Sequence, residues 1–358
     1  MMWDALIPGV FALFGAALFC WVILVTRRFH GKYSLDHDTQ SPQKYHAVAV
    51  PRIGGVALFV GLVVGAVFHG LQGDDQLYLS KWAGIAALPV FLGGLLEDVF
   101  KKISARDRLL LAFLSAAIAY YELGIGLRAV GWEFFDTTIL SQPGISLILT
   151  VFMVGGVAHS TNIIDGFNGL LIGFSLLVLG AFLWVLTVVN DYNLTIYTAI
   201  LVGGLGGALV FNFPKGRIFL GDGGAYLIGF LLAVLALLLV SRHPKISPWF
   251  PLAAMAYPVV ETLFSIIRKT LIERRHAMVP DSKHLHMLVF EKISPQVMNL
   301  FHINRNAATS VVMWSVGLSS ILPSLLFWDN TFACLIIFGV FSGGYTLLYL
   351  RLSDRNEL

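Results

Sequence analysis

The sequence predicts an all-α, polytopic transmembrane bundle of about eleven spans. Three observations lead there. Of 358 residues, 57% are hydrophobic and only 13% charged, with a mean hydropathy of +0.79. That apolar content exceeds what a soluble core uses and suits helices facing hydrocarbon. The apolar residues fall in long runs, and the cations between runs are distributed very unevenly.

The runs centre on residues 5–26, 53–70, 82–96, 109–121, 145–161, 169–189, 195–213, 225–240, 248–267, 308–326 and 332–350. Backbone groups in lipid must be satisfied within their own segment, so each run reads as a helix. The stretches 82–96 and 109–121 are the shortest. The first run lacks a basic segment before it and has Arg27 and Arg28 after it, the charge order of a retained span with its N-terminus outside. No repeat or low-complexity tract interrupts the chain, which reads as one integral membrane domain over 1–358. The segment 122–144, with Trp132, Phe134 and Phe135, suits the bilayer interface. Cys20 and Cys334 both lie inside apolar runs and suggest neither a disulfide framework nor a metal site.

Alternate loops divide the Lys and Arg residues sharply. The set 27–52, 97–108, 162–168, 212–224, 268–307 and 351–358 holds 20 of the 24, and the other set holds only Lys81, Arg128, Arg242 and Lys245. The positive-inside rule makes the first set cytoplasmic, with a periplasmic N-terminus and a cytoplasmic C-terminus.

Five of the cytoplasmic loops carry functional groups at a span end. Glu97-Asp98 closes the third run, and adjacent carboxylates need compensation by a divalent metal or by Lys101, Lys102 and Arg106. Asn162, Asp165 and Asn168 recur at i, i+3, i+6, a spacing that predicts one helical face, with Gly166 and Gly169 allowing close approach to a ligand. An acid this near hydrocarbon needs a partner. Lys215-Gly216-Arg217 precedes Gly221-Asp222-Gly223-Gly224; a carboxylate among glycines behind two cations suits a metal-phosphate, and hard oxygen ligands favour magnesium over softer ions. His284 and His286 follow Asp281, but no Cys completes a zinc set, so contact with phosphate or sugar is the better expectation. Lys44, His46 and Arg52 lie in the first inner loop, at a level that suits a lipid phosphate. Glu261 is a further acid, inside the ninth run.

In this order, PRIGG, the Glu-Asp pair, NIIDGFNGL, GRIFLGDGG and His-Leu-His resemble the polyprenyl-phosphate N-acetylhexosamine-1-phosphate transferase superfamily over nearly the whole chain. The resemblance implies magnesium-dependent transfer, with manganese able to substitute, of a sugar 1-phosphate from a UDP-sugar to undecaprenyl phosphate, releasing UMP. It implies Glu97, Asp98 and Asp165 as catalytic residues and Asp222, with Asp98, as metal ligands. Asn162, Asn168, His284 and His286 would face the donor, with Lys215 and Arg217 beside it, and Arg52, Lys101 and Lys102 would hold the lipid phosphate. The family's usual Asp-Asp pair is Glu97-Asp98 here, Lys stands at 101, and Asn168 stands where many relatives carry Asp. Asn cannot ionise, so position 168 is a hydrogen-bonding contact rather than a base. His-Leu-His-Met, in place of a run of histidines, tilts the reading from the peptidoglycan translocase toward initiators of O-antigen or capsule. The expected setting is the bacterial inner membrane with the site facing the cytoplasm; the resemblance is compatible with a homodimer, and no nucleic-acid partner is expected. A secondary transporter would place its acids near the midplane on repeated broken helices, and a scaffold would not need this clustering.

Overall fold

A computed structural model of the chain describes residues 2–36, 49–72, 77–276 and 281–353. Lys44 and His46 lie outside the described residues. Every apolar run falls on helix. In chain order these are α1 (Met2–Ser34), α2 (Gly54–Gly70), α3 (Leu77–Phe100), α4 (Ala105–Leu123), α5 (Pro143–Ile164), α6 (Leu170–Val189), α7 (Tyr192–Asn212) and α8 (Gly221–Arg242). Then follow α9 (Trp249–Ala254), α10 (Ala256–Ile267), α11 (Leu285–Lys292), α12 (Ser294–Phe301), α13 (Arg305–Leu326) and α14 (Thr331–Leu352). The protein is therefore an all-α, multi-pass membrane protein. Among the described residues, eight helices are long and apolar enough to cross a bilayer: α1, α3, α5, α6, α7, α8, α13 and α14. The other three runs fall on the 17-residue α2, the 19-residue α4 and the interrupted pair α9–α10.

The ninth run is broken at Met255, which has φ −94° and ψ 18°. Pro258 cannot donate to the Ala254 carbonyl and its ring crowds that oxygen, so a continuous helix is not available there. The two runs that look short in sequence extend in the structure. Run 82–96 becomes 24 residues of α3, and run 109–121 gains a first turn capped by Ser104, whose hydroxyl accepts from the Asp107 amide.

Helix α8 is the axis of the bundle. It is buried along almost its whole length and packs against α2, α3 and α5. The contacts use small residues: a Cβ on Gly55 would meet the backbone of Gly224, one on Gly94 the backbone of Gly223, and one on Gly229 the Thr161 hydroxyl. Thr161 also donates to the Ala225 carbonyl at 3.0 Å, joining α5 to α8. Close approach of helices through small residues and interhelical hydrogen bonds replaces the hydrophobic drive that lipid removes. The same device seals α1 against α7, where a Cβ on Gly203 would strike the Gly9 carbonyl.

A two-stranded hairpin, β1 (Leu35–Asp36) and β2 (Val50–Pro51), pairs Leu35 with Pro51 and Asp36 with Val50. It sets the chain after it against the segment before α8: Phe219 donates to the Pro51 carbonyl, and Gly54 and Gly55 donate to Phe219 and Leu220. Residues 132–139 form a short turn with Trp132 70%, Phe134 65% and Phe135 42% exposed, which matches an interfacial segment.

Gly203→Ala should lower stability by about 1–3 kcal/mol, the usual range for overpacking. Gly180→Ala, where a Cβ meets nothing within 4 Å, should leave it unchanged or slightly raised. Thermal denaturation of both variants in one detergent separates them, and equal midpoints would refute the seam.

Candidate active site

The acids of three separate motifs meet at one end of α8. Gly221 has φ +70°, and a Cβ there would collide with the Arg52 carbonyl and the Asp98 carboxylate, so glycine lets these backbones converge. Asp98, 3% exposed at the end of α3, accepts the Asp222 amide on Oδ1 and the Gly223 amide on Oδ2, each at 2.9 Å. A helix start leaves its first amides without internal partners and carries positive potential, and a carboxylate answers both. Lys101 contributes to the compensation of Asp98 as the sequence suggests, but Arg52 and the Gly223 amide contribute more. The amides of α8 and Arg52, at 3.6 Å, serve Asp98, while Glu97 accepts the Ile103 amide at 2.7 Å and shapes the turn after α3.

Asp222 follows directly on the cap. Its Oδ1 accepts from Arg52 Nη2 and from Asn162 Nδ2, both at 3.2 Å, and its Oδ2 pairs closely with Arg108 Nη1. Arg108 lies over the Tyr226 ring, 5.6 Å from its centroid, and Tyr226 in turn meets His159 Nδ1 at 3.2 Å. Arg106, expected beside Glu97-Asp98, is exposed and pairs with Asp107, while Arg108 is the arginine of this stretch that reaches Asp222.

Asn162, Asp165 and Asn168 do not share a helical face. Helix α5 ends at Ile164, Asp165 takes a non-helical C-cap conformation, and Gly169 at φ +78° turns the chain into α6. Only Asn162 reaches Asp222. Asn168 turns the other way: its side chain donates to the Pro214 carbonyl at 3.0 Å, and its backbone amide donates to Asn306. It braces the 213–217 loop, and a Cβ on Gly216 would strike its side-chain amide. The half-buried Asp165 carboxylate accepts no hydrogen bond among the described residues. Burial pushes its carboxyl up to about 7, against a downward pull from Arg52.

Lys215 and Arg217 are exposed on the loop before α8 and make no ion pair among the described residues. Lys101, with φ +54°, and Lys102 are also exposed, on the turn beyond Glu97.

The histidines form a second, buried layer. His284 Nδ1 meets Glu261 Oε1 at 3.0 Å, and its Nε2 lies 3.7 Å from Asp281. His286 is wholly buried and stacks parallel to His284 at 5.4 Å, with Nδ1 3.3 Å from the Tyr257 hydroxyl. Burial lowers His286 to about 4, so it is neutral at physiological pH. Its ring packs edge-on against Phe167, and its Nε2 faces Gly166, so the layer lies directly against the turn that follows Asp165. Arg268, 1% exposed, closes this layer through Glu273 at 2.7 Å and Asp281 at 2.9 Å.

The segment 81–240, spanning the Asp98, Asp165 and Asp222 motifs, matches the family model for glycosyl transferase family 4. Across 254 residues the chain is 26% identical to a probable undecaprenyl-phosphate N-acetylglucosaminyl 1-phosphate transferase of Bacillus subtilis, covering 70% of this chain and 68% of that one. A decaprenyl-phosphate N-acetylglucosaminephosphotransferase of Mycobacterium tuberculosis is 26% identical over 339 residues, covering 85% and 80%. A phospho-N-acetylmuramoyl-pentapeptide-transferase of Bacillus cytotoxicus is 28% identical over 250 residues, covering 64% and 74%. The chain is thus similar to polyprenyl-phosphate sugar-1-phosphate transferases, through a family 4 glycosyl transferase segment at its centre. It is accordingly a phospho-sugar transferase.

Two residues at this helix end, Arg108 and His159, were passed over by the motif reading. Arg108 sits ten residues beyond Asp98 in a basic stretch, where nothing distinguishes it from Arg106 until α4 forms. His159 lies one turn before Asn162 within an apolar run, a cue available from the sequence. Among the described residues, no three or more His, Cys, Asp or Glu side chains could hold a metal by themselves.

Asp98→Asn removes one of the two acceptors for the α8 amides. The transferase variant should lose about 1–3 kcal/mol, as for a buried donor left unsatisfied, and lose activity with it. An unchanged melting midpoint would show that the cap does not hold α8.

Proposed function

We propose that the transferase moves an N-acetylhexosamine 1-phosphate from a UDP-sugar to undecaprenyl phosphate, releasing UMP. We place this reaction at the start of a cell-envelope polysaccharide such as O-antigen, at the cytoplasmic face of the inner membrane. The observation that carries the reading is the meeting of Asp222, Asn162, Arg52 and Arg108 at one helix end, with Asp165 on the adjoining turn. The relatives' names supply the reactants: polyprenyl phosphate as acceptor and an N-acetylated sugar phosphate as the transferred group.

The donor set fits a hard divalent cation. Magnesium is typically held by one or two carboxylates together with substrate phosphate oxygens. Asp222 would be its carboxylate, and a half-turn of the Asn162 amide would present that oxygen beside it, since the amide orientation is set only by its partner. Bound there, magnesium would neutralise the diphosphate and stabilise departing UMP. Asp98 supports this site from behind, by fixing the α8 amides that carry Asp222.

The chain's own residues then have distinct tasks. Arg108 and Arg52, which neutralise Asp222 in the free protein, are placed to turn to phosphate oxygens. The exposed Lys101, Lys102, Lys215 and Arg217 ring the approach for two polyanions. An oxygen of the lipid phosphate attacks the sugar-linked phosphorus of the donor. The new P–O bond joins lipid phosphate to sugar phosphate, the bond to the UMP oxygen breaks, and UMP leaves with that electron pair. Such transfer depends mainly on alignment and charge stabilisation. Asp165 serves as proton acceptor for the lipid phosphate when that phosphate arrives as a monoanion. The buried His284 and His286 hold the turn that carries Asp165.

Purified protein with undecaprenyl phosphate, magnesium and a panel of UDP-sugars should release UMP with at least one N-acetylhexosamine donor. Chelation with EDTA should abolish turnover, and Asp222→Asn should reduce it by at least about 100-fold, the scale of a lost charge-stabilising group. No UMP from any donor would end the enzymatic assignment to these substrates.

The elevated Asp165 carboxyl gives a pH signature. With its value raised from the ordinary 3.8 to about 7, the carboxylate accumulates only as pH rises through 7, so kcat/KM should fall below that point. Asp165→Asn should remove that acid limb along with most activity. A wild-type profile flat from pH 5.5 to 8 would rule out Asp165 as the base.

A further inference from the structure

A cavity of about 450 Å³ lies at the other end of the bundle. Its walls include Met153 and Val157 of α5, Ala233, Ala236 and Leu237 of α8, and Met255 at the α9–α10 break. Ser241, at its rim, is 19 residues along α8 from Asp222, which is about 28 Å at the helical rise. The cavity is therefore separate from the transferase site and opens on the opposite face.

Its floor is apolar and its mouth is charged. Arg128, Lys245 and Asp329 stand at the rim with Asp136, whose two oxygens are engaged by the Val130 and Gly131 amides. The distribution of cations is the informative feature. The segments at this face carry four Lys and Arg residues, and two are engaged elsewhere: Arg242 at the end of α8 pairs with Asp191 at 3.6 Å, and Lys81 in the first turns of α3 lies over the Trp82 ring. The other two, Arg128 and Lys245, make no ion pair among the described residues, and both line this one cavity. Asp329 likewise has no ion pair or side-chain hydrogen bond among the described residues. The exposed Trp132, Phe134 and Phe135 stand on the adjoining turn, at the level where aromatic rings meet lipid headgroups. The Trp249 indole donates to the Val130 carbonyl at 2.9 Å and fixes the loop wall to α9.

We propose that this cavity binds one phospholipid whose head bears both a phosphate and a primary ammonium, of the phosphatidylethanolamine class. An acyl chain occupies the Ala233–Ala236 floor, the phosphate lies between Arg128 and Lys245, and the ammonium meets Asp329. A purely anionic lipid satisfies the two cations but leaves Asp329 facing a negative head, so the rim selects the zwitterion. Small residues at 233 and 236 leave the space that the chain fills, so the lipid acts as a wedge between α5, α8 and α9. The proposal concerns bound lipid alone and stands or falls independently of the sugar donor.

The test is native mass spectrometry of the full-length protein after incubation in micelles with equal amounts of dioleoyl phosphatidylethanolamine and dioleoyl phosphatidylglycerol. Wild type should retain a single adduct of the ethanolamine lipid in preference to the glycerol lipid. Asp329→Asn should abolish the preference, and Arg128→Gln combined with Lys245→Gln should remove both adducts. Ala236→Phe should also remove them by filling the floor. The rim positions are exposed, so these variants keep the fold, and matching melting midpoints verify it. Equal retention of the two lipids by wild type, no retained lipid, or an ethanolamine adduct unchanged in all variants would overturn the proposal.

Discussion

The buried start of α8 is the constraint around which the transferase is organised. A helix that begins inside a protein presents amide hydrogens that need acceptors. Asp98, donated from the end of α3, satisfies two of them with its two oxygens. The same contact fixes where Asp222 stands, because Asp222 is one of the residues whose amide is held. Structure and chemistry are thus joined in a single carboxylate, and Arg52 reinforces the join by lying between Asp98 and Asp222.

From that point outward, the site is built in two layers. The layer of Arg52, Arg108, Asn162 and Asp222 is close-knit, with two arginines and one amide on a single carboxylate. The layer of Glu261, His284 and His286 beneath the Asp165 turn is buried, with His284 hydrogen-bonded to Glu261 and His286 neutral. The two layers touch through Gly166 and Phe167. A distortion at the histidines would therefore reach Asp165 through one turn of chain.

Much of this architecture could be read from composition and pattern. All eleven apolar runs lie on helices, because run length in lipid is a demand of the backbone and leaves a direct trace in the residues. The acids and glycines that meet at the site were also visible, since each is chemically conspicuous at a span end. What each acid does was not. Asp98 and Asp222 are 124 positions apart, and no periodicity records that one caps the other's helix. Asn162, Asp165 and Asn168 have helical spacing, yet Gly166 and Gly169 end the helix, so the three diverge. Arg108 escaped notice for a similar reason: its neighbour Arg106 is identical in type, and only the phase of α4 decides which side chain reaches Asp222.

The depth at which α8 sits has a further consequence for how the protein meets its solvent. The most apolar stretch of α8 is 94% enclosed by other helices, against 28% for α1 and 22% for α14. Changes in bilayer thickness are absorbed by tilting and local adjustment of the helices that touch lipid. They include α1 and α14, at the periphery, while the rod that carries Asp222 is sheathed. The protein can thus adapt its rim to membranes of differing thickness while the end of α8 that carries Asp222 keeps a constant register.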